Sequence, residues 1–118
     1  MPEVVAETRV ARDLALVVLV GEVDIAKAEA VIRALEEAAT PDAVRRLCCD
    51  LSGVTFLDSS GIGALVSARR TCEDRGIEMV LVGASGSVRR VLALTCVDTL
   101  FRQFATVREF HAADNLGD

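Results

Sequence analysis

The sequence has few residues suited to binding nucleic acid. It contains no tryptophan or tyrosine, it has four phenylalanines, and its formal net charge is −5 at pH 7. Proteins that bind DNA or RNA present a basic face to the phosphates and often stack bases on aromatic rings. We therefore expect no direct contact with nucleic acid. The arginine pairs at 45–46, 69–70 and 89–90 are interpreted as solvated ends or faces of secondary structure.

Long apolar runs are also absent. The longest covers residues 14–20, which is seven residues, whereas a membrane-spanning helix needs about 20. The N-terminus lacks the basic stretch and apolar block of a secretory signal. We therefore expect a cytoplasmic protein without membrane insertion. The length of 118 residues and the hydrophobic content of 52% suit one domain over 1–118 with one core, and we expect a monomer.

Metal-binding and catalytic motifs are missing as well. The chain has one histidine, His111, and its four cysteines include no C-x-x-C pair, which argues against a zinc site. A serine nucleophile needs a neighbouring base, and the segment LDSSG at 57–61 does not match G-x-S-x-G. The glycines at 61–63 and 83–86 complete neither phosphate-loop pattern. The sequence thus predicts no enzyme, no cofactor and no metal.

The cysteines lie at positions 48, 49, 72 and 96. In a cytoplasmic protein we expect them to be reduced and mostly buried as small apolar side chains. Cys48 and Cys49 are adjacent in a predicted strand, so their side chains point to opposite faces and at most one should reach solvent. A redox role for Cys48, Cys49, Cys72 or Cys96 stays open.

Apolar runs and helical stripes alternate along the chain, which predicts a two-layer α/β domain. Strands are predicted at residues 4–10, 14–20, 47–51 and 77–82, with an edge strand at 100–104. Helices are predicted at 25–39, from after Ser60 to about 75, from about 88 to 95, and from 106 past 111. The second strand is apolar on both faces and should be internal. Its crossover to the third strand through a helix favours a parallel pair.

Capping residues predict where the helices begin and end. Asp24 should cap the first helix and Ser87 the third, while Thr106 with Glu109 forms a capping box at the last. Gly76 should end the second helix. The apolar stripe of the first helix is predicted to be Ile25, Ala28, Ile32, Leu35 and Ala39.

The segment Asp58-Ser59-Ser60-Gly61 stacks three good capping residues where one is enough. All three could be alternative caps, or one hydroxyl could serve another purpose. A phosphate added to a serine here would bring about −1.5 to −2 charges at pH 7. The start of a helix tolerates that charge, whereas a docked partner would meet a dianion beside Asp58 and near Asp24. The segment therefore suits a phosphorylation switch.

Residues 50–65 read DLSGVTFLDSSGIGAL, and this stretch resembles the signature of STAS domains. Three further segments resemble the family in the usual order: Gly-Glu-Val-Asp at 21–24, Val-Arg-Arg-Val-Leu at 88–92, and Thr-Val-Arg-Glu at 106–109. The resemblance covers nearly the whole chain. It implies the STAS fold, a mixed sheet of four to five strands with helices packed on one side.

For a free-standing domain with Asp-Ser-Ser-Gly, the resemblance implies an anti-sigma factor antagonist. The unphosphorylated protein would bind an anti-sigma factor, which is also a Ser/Thr kinase, and so free the sigma factor. Phosphorylation of Ser59 would release the antagonist, and a metal-dependent Ser/Thr phosphatase would reverse the change. ATP belongs to the kinase. Partner binding is assigned by the resemblance to Asp24, Asp58, Ser59, Ser60 and Gly61, with Ser60 as the helix cap.

Two other classes stay open. A STAS domain can also be a non-catalytic subunit of a stress-sensing scaffold or of a lipid or anion transporter complex. Such a subunit should co-purify with an ATP-binding cassette protein or elute as a very large particle. A small nucleotide-binding or hydrolytic protein is the third class, and it should bind ATP or GTP in isolation. The fold cannot separate the first two classes, because they share it.

Overall fold

The computed structural model describes residues 7–116, and within them five strands form one sheet in the order β1 to β5. The strands are β1 (Glu7–Ala11), β2 (Leu14–Val23), β3 (Arg46–Leu57), β4 (Glu78–Val82) and β5 (Gln103–Phe104). The helices are α1 (Ile25–Ala38), α2 (Ser59–Asp74), α3 (Gly86–Leu94) and α4 (Val107–Leu116), and a 3-10 turn covers Val97–Leu100. Residues 4–6 of the predicted first strand lie outside the described residues.

The sheet is mixed. β1 and β2 form an antiparallel hairpin, with Arg12 at φ 58° in its turn. The strands β2 to β5 run parallel, and α1, α2 and α3 make the crossovers. The α/β class, the mixed sheet and the parallel pairing of β2 with β3 are confirmed. β3 is longer than predicted, because it continues through register shifts as far as Leu57.

Both faces of the sheet carry packed helices. The larger core lies between the sheet and α1, α2 and α3. A smaller cluster on the opposite face contains Leu14, Cys48, Val80, Val82 and Phe110 of α4. The expectation that helices pack on one side therefore holds for α1 to α3, while α4 lies on the other side. The physical reason is that β2, β3 and β4 present apolar side chains to both faces of the sheet, so the second face needs cover as well.

The adjacent cysteines of β3 are split between the two cores. Cys49 belongs to the larger cluster and Cys48 to the smaller one, and neither side chain reaches solvent. This confirms that their side chains point to opposite faces. Burial raises the pKa of the Cys48 thiol to about 12 and that of Cys72 to about 11, and it also raises the pKa of Cys49. Cys96 is exposed.

Two details of the helices differ from the sequence prediction. α3 begins after Ser85, not after Ser87, because the Ser85 carbonyl accepts the first helical bonds from Val88 and Arg89. Ile25 was predicted to face the core, yet it is exposed; the core-facing side of α1 consists of the buried Val31, Leu35 and Ala38 with the partly buried Ala28 and Ile32. Asp24 and Gly76 act at the helix ends as predicted.

Candidate partner-binding site

The two internal strands β2 and β3 end side by side. Val23 and Leu57, their last residues, are paired in the parallel ladder, and the Asp58 amide donates a 3.4 Å hydrogen bond to the Val23 carbonyl. Asp24 and Asp58 are the next residues along each strand, so they follow neighbouring strands at one edge of the sheet. The carboxyl edge of parallel strands is the usual place for binding sites in α/β proteins.

Both carboxylates cap a helix. Asp24 Oδ1 accepts a hydrogen bond from the Ala26 amide at 3.1 Å. Asp58 Oδ1 accepts two, from the Ser60 amide at 2.9 Å and the Gly61 amide at 3.2 Å. Caps of this kind contribute about 1 kcal/mol each. The structure therefore fixes both side chains at the edge of the sheet.

Asp58, and not Ser60, is the cap of α2, which corrects the sequence prediction. A capping residue has an extended backbone, and Asp58 has φ −107° and ψ −170°, while Ser59 and Ser60 already belong to the helix. The sequence alone does not decide which of the three residues caps α2, because the cap is the residue at which the backbone changes from extended to helical. Both serine hydroxyls are consequently released from capping.

Ser59 is the most accessible residue of the segment. It is the first residue of α2 and is exposed, whereas Ser60 is half-buried. Within residues 7–116, the Ser59 hydroxyl has no hydrogen-bond partner. A hydroxyl in this position can approach a second protein without any change in the fold.

Gly61 is buried and holds the first turn of α2 against the strand ends. A Cβ built on Gly61 would lie 2.8 Å from the Val23 carbonyl oxygen and would also collide with Leu57 Cδ1. Gly63, one half-turn further along, has nothing within 4 Å of the same position. Gly61 was predicted to take part in partner binding. Its position indicates that it would do so by allowing the turn that presents Ser59.

The strand before the site is irregular. β3 carries an extra residue opposite Val18–Val20 of β2, and the Asp50 carboxylate accepts a 2.9 Å bond from the Ser52 amide there. Gly83, at the end of β4, has φ +76° and approaches the Ser52 backbone closely. The Asp-Leu-Ser-Gly segment at 50–53 therefore forms this irregularity, which the sequence did not predict.

The sequence prediction missed apolar side chains beside the site. Phe56, three residues before Ser59, is exposed, and so are Val20 and Ile25. Alternation along the strand would have predicted that Phe56 and Leu57 face opposite sides.

Within residues 7–116 there is no group of three or more side chains suited to hold a metal ion. In the same residues no helix is both long and apolar enough to cross a membrane.

The sequence model described as the STAS domain matches residues 5–110. An anti-sigma-B factor antagonist of Listeria monocytogenes is 35% identical over 75 residues, which are 64% of this chain and 65% of that protein. A STAS-domain containing protein of Pseudomonas aeruginosa is 34% identical over 58 residues, covering 49% of this chain and 57% of that protein. The matches thus span less than two thirds of these relatives.

Solved structures are similar over most of the chain. An anti-sigma factor antagonist from Mycobacterium paratuberculosis has a TM-score of 0.83 at 24% identity, covering 94% of this chain and 93% of that one. The Bacillus cell fate determinant SpoIIAA in its phosphorylated form has a TM-score of 0.69 at 24% identity, covering 95% and 99%. At these identities, the similarity establishes the fold.

Proposed function

Because the chain belongs to the STAS domain family, we propose that it acts as an anti-sigma factor antagonist that phosphorylation of Ser59 switches off. The observation that carries the proposal is the exposed Ser59 hydroxyl, which is free because Asp58 caps the helix. Proteins of Listeria named as anti-sigma-B factor antagonists are similar in sequence. SpoIIAA, a structural neighbour, is known in unphosphorylated and phosphorylated forms.

In the unphosphorylated state, the anti-sigma factor docks on the carboxyl edge of β2 and β3 and on the first turn of α2. Asp24 and Asp58 are held there by their capping bonds. A preorganised surface of this kind loses little conformational entropy when a partner binds. Binding occupies the anti-sigma factor, so its sigma factor is released.

The same partner is a Ser/Thr kinase. Phosphoryl transfer requires the γ-phosphate of ATP in line with the attacking oxygen, so the Ser59 hydroxyl has to enter the kinase site. An exposed residue at the first position of a helix can do so while the chain stays folded. The kinase holds the ATP, and this chain supplies the acceptor.

A phosphate on Ser59 disrupts the complex by charge. It adds about −1.5 to −2 charges, which face the remaining nucleotide phosphates of the kinase and lie beside the Asp58 carboxylate. Like charges opposed in an interface cost several kcal/mol. In the free protein, the start of α2 favours the phosphate by about 0.3–1 kcal/mol, so the modified chain stays folded. A metal-dependent Ser/Thr phosphatase then restores the active form.

The first test is a phosphorylation assay. The chain is incubated with ATP and with each purified anti-sigma factor kinase from the same genome, and the modified residue is located by mass spectrometry. Ser60→Ala is the matched control, because it removes the neighbouring hydroxyl. We expect one phosphate on Ser59 in the wild type and in Ser60→Ala, and none in Ser59→Ala. A kinase that binds the chain yet leaves Ser59 unmodified would contradict the proposal.

The second test is binding in the presence of ATP. Ser59→Ala should stay bound to the anti-sigma factor, whereas Ser59→Asp should bind poorly. Equal affinities would rule out the charge mechanism. Co-purification of the chain with an ATP-binding cassette protein, or elution in a very large particle, would instead favour a subunit of a transporter or scaffold.

A further inference from the structure

One end of the sheet carries most of the exposed apolar surface. Five large apolar side chains are exposed among residues 12–113, and three of them lie where β2 and β3 end: Val20 at 41%, Phe56 at 45% and Ile25 at 80% exposure. Single exposed apolar residues are ordinary on a protein surface. All three lie toward the edge that also carries Ser59, Val20 and Phe56 on the strands and Ile25 at the first residue of α1, and we call Val20, Ile25 and Phe56 the edge patch.

Strand register places two members of the edge patch on one face. Val23 and Leu57 are paired and face the larger core, so the preceding pair, Glu22 and Phe56, faces the opposite side. Val20 is paired with Gly53, and its Cγ2 lies 3.1 Å from the position of a Cβ built on that glycine. The side chain of Val20 therefore lies over Gly53, which has no side chain of its own.

Helix α4 packs on this face over the amino ends of β2 and β3 and over β4. Phe110 packs with Leu14 of β2 and Cys48 of β3, both near the amino ends of their strands. Val20 and Phe56 lie in the carboxyl half of the face, outside this cluster, and both are exposed. The open half of the face adjoins the edge at which α2 begins.

Building on the function proposed above, we propose that the edge patch is the apolar part of the anti-sigma factor docking surface. The matching partner surface is apolar, with lysine or arginine at its rim. Large side chains that become fully buried near the centre of an interface contribute most of its binding energy. The phosphorylated serine then lies beside the buried area, where docking would strip water from the new charge, and a charge desolvated in this way is costly unless it is paired.

Charge around the edge patch selects a basic partner surface. Glu22 is exposed beside Phe56, and Asp24 and Asp58 follow the two strands. Between them, β2 and residues 47–57 of β3 contain no lysine or arginine. A symmetric contact would place one acidic surface against another and so oppose like charges, which disfavours binding of a second copy. A partner with a basic rim is therefore favoured over self-association.

The test measures the affinity of the purified anti-sigma factor kinase for four forms of the chain, without ATP so that Ser59 stays unmodified. The forms are the wild type, Phe56→Ala, Ile25→Ala and the control Leu94→Ala. Leu94 is 76% exposed at the far end of α3, so it matches Ile25 in exposure on another surface. Ile25→Ala guards against misfolding, since that side chain makes little contact with the core.

We expect Phe56→Ala to weaken binding about 10-fold or more and Ile25→Ala several-fold, as for residues at the centre of an interface. Leu94→Ala should stay within about 2-fold, as for residues outside the contact. If the wild type binds the kinase and Phe56→Ala and Ile25→Ala bind it with the same affinity, the edge patch is not part of the docking surface, while the proposed function stands. Absence of any wild-type binding to the kinases would overturn the proposed function as well. A wild type that sediments as a dimer, with Phe56→Ala a monomer, would assign the patch to a second copy and so refute it.

Discussion

Replacing Gly61 by alanine tests how the first turn of α2 is held. A Cβ there would lie 2.8 Å from the Val23 carbonyl oxygen and 3.0 Å from Val23 Cγ1. Leu57 Cδ1, which it would also meet, belongs to a side chain that can rotate, but the carbonyl belongs to the sheet backbone and cannot move alone. The turn must therefore shift away from the strand ends.

The magnitude is the sum of three effects. Overpacking in a filled site costs about 1–3 kcal/mol, and a weakened bond from the Gly61 amide to Asp58 costs up to about 1 kcal/mol. Alanine in place of glycine in a helix returns about 0.5–1 kcal/mol. We expect Gly61→Ala to lower the free energy of unfolding by about 1–3 kcal/mol, as these effects combine.

Gly63→Ala is the matched control, because nothing lies within 4 Å of its Cβ position. It should raise the free energy of unfolding by about 0.5–1 kcal/mol. Urea unfolding followed by far-UV circular dichroism measures both, since the chain has no tryptophan for fluorescence. If the two variants change stability in the same direction by similar amounts, the close approach of Gly61 to the strand ends is refuted.

Two further predictions concern the glycine that follows β4 and the four cysteines. Gly83→Ala should lower the free energy of unfolding by about 2–3 kcal/mol from left-handed strain together with crowding, because Gly83 has φ +76° and its Cβ would lie 3.0 Å from the Ser52 amide nitrogen. Its control Gly76→Ala has a similar φ of +72° in open space and should cost only about 1 kcal/mol; equal losses would contradict the contact. A thiol reagent at pH 8 should label Cys96 rapidly, and the other cysteines only after unfolding, because burial raises their pKa values and blocks access. Rapid labelling of all four in the folded protein would contradict their burial.

Local pattern was enough to predict most secondary structure, because apolar runs of strand length alternate with helical stripes. It failed where a choice depends on long-range packing. The extension of β3 to Leu57 includes register shifts that break the period-two pattern, so residues 52–57 did not read as a strand. The position of α4 depends on Phe110 reaching the smaller core, and no local signal gives the face of a sheet that a helix will cover.

At the site, residue types were predicted better than their roles. The segment at 58–61 was identified because it holds more capping residues than a helix needs. Which residue of this segment caps the helix could be decided only from the backbone dihedral angles, which show that Asp58 is the cap and Ser60 is not. Ile25 was assigned to the core because it continues the stripe of α1, yet it is the first residue of the helix and is exposed, while full burial in α1 starts at Val31.

Asp58 combines a structural role with a charge beside Ser59, and two substitutions separate them. Asparagine caps a helix about as well as aspartate, so Asp58→Asn should change the free energy of unfolding by less than about 1 kcal/mol, the loss being limited to the charge–dipole part. Asp58→Ala removes the acceptor for two amides and should cost about 1–2 kcal/mol. Unfolding in urea compares the two variants, and equal losses would contradict the capping role.

The charge is then tested within the proposed switch, by comparing the affinities of phosphorylated and unphosphorylated forms for the proposed anti-sigma factor partner. If the Asp58 carboxylate adds to the repulsion that a phosphate on Ser59 creates, Asp58→Asn should narrow the difference between the two forms at low ionic strength. The difference should narrow less in high salt, where screening already weakens the repulsion in the wild type. If Asp58→Asn is as stable as the wild type and the ratio of the affinities of its two forms is unchanged, Asp58 acts only as a helix cap. The phosphate alone would then cause the loss of binding.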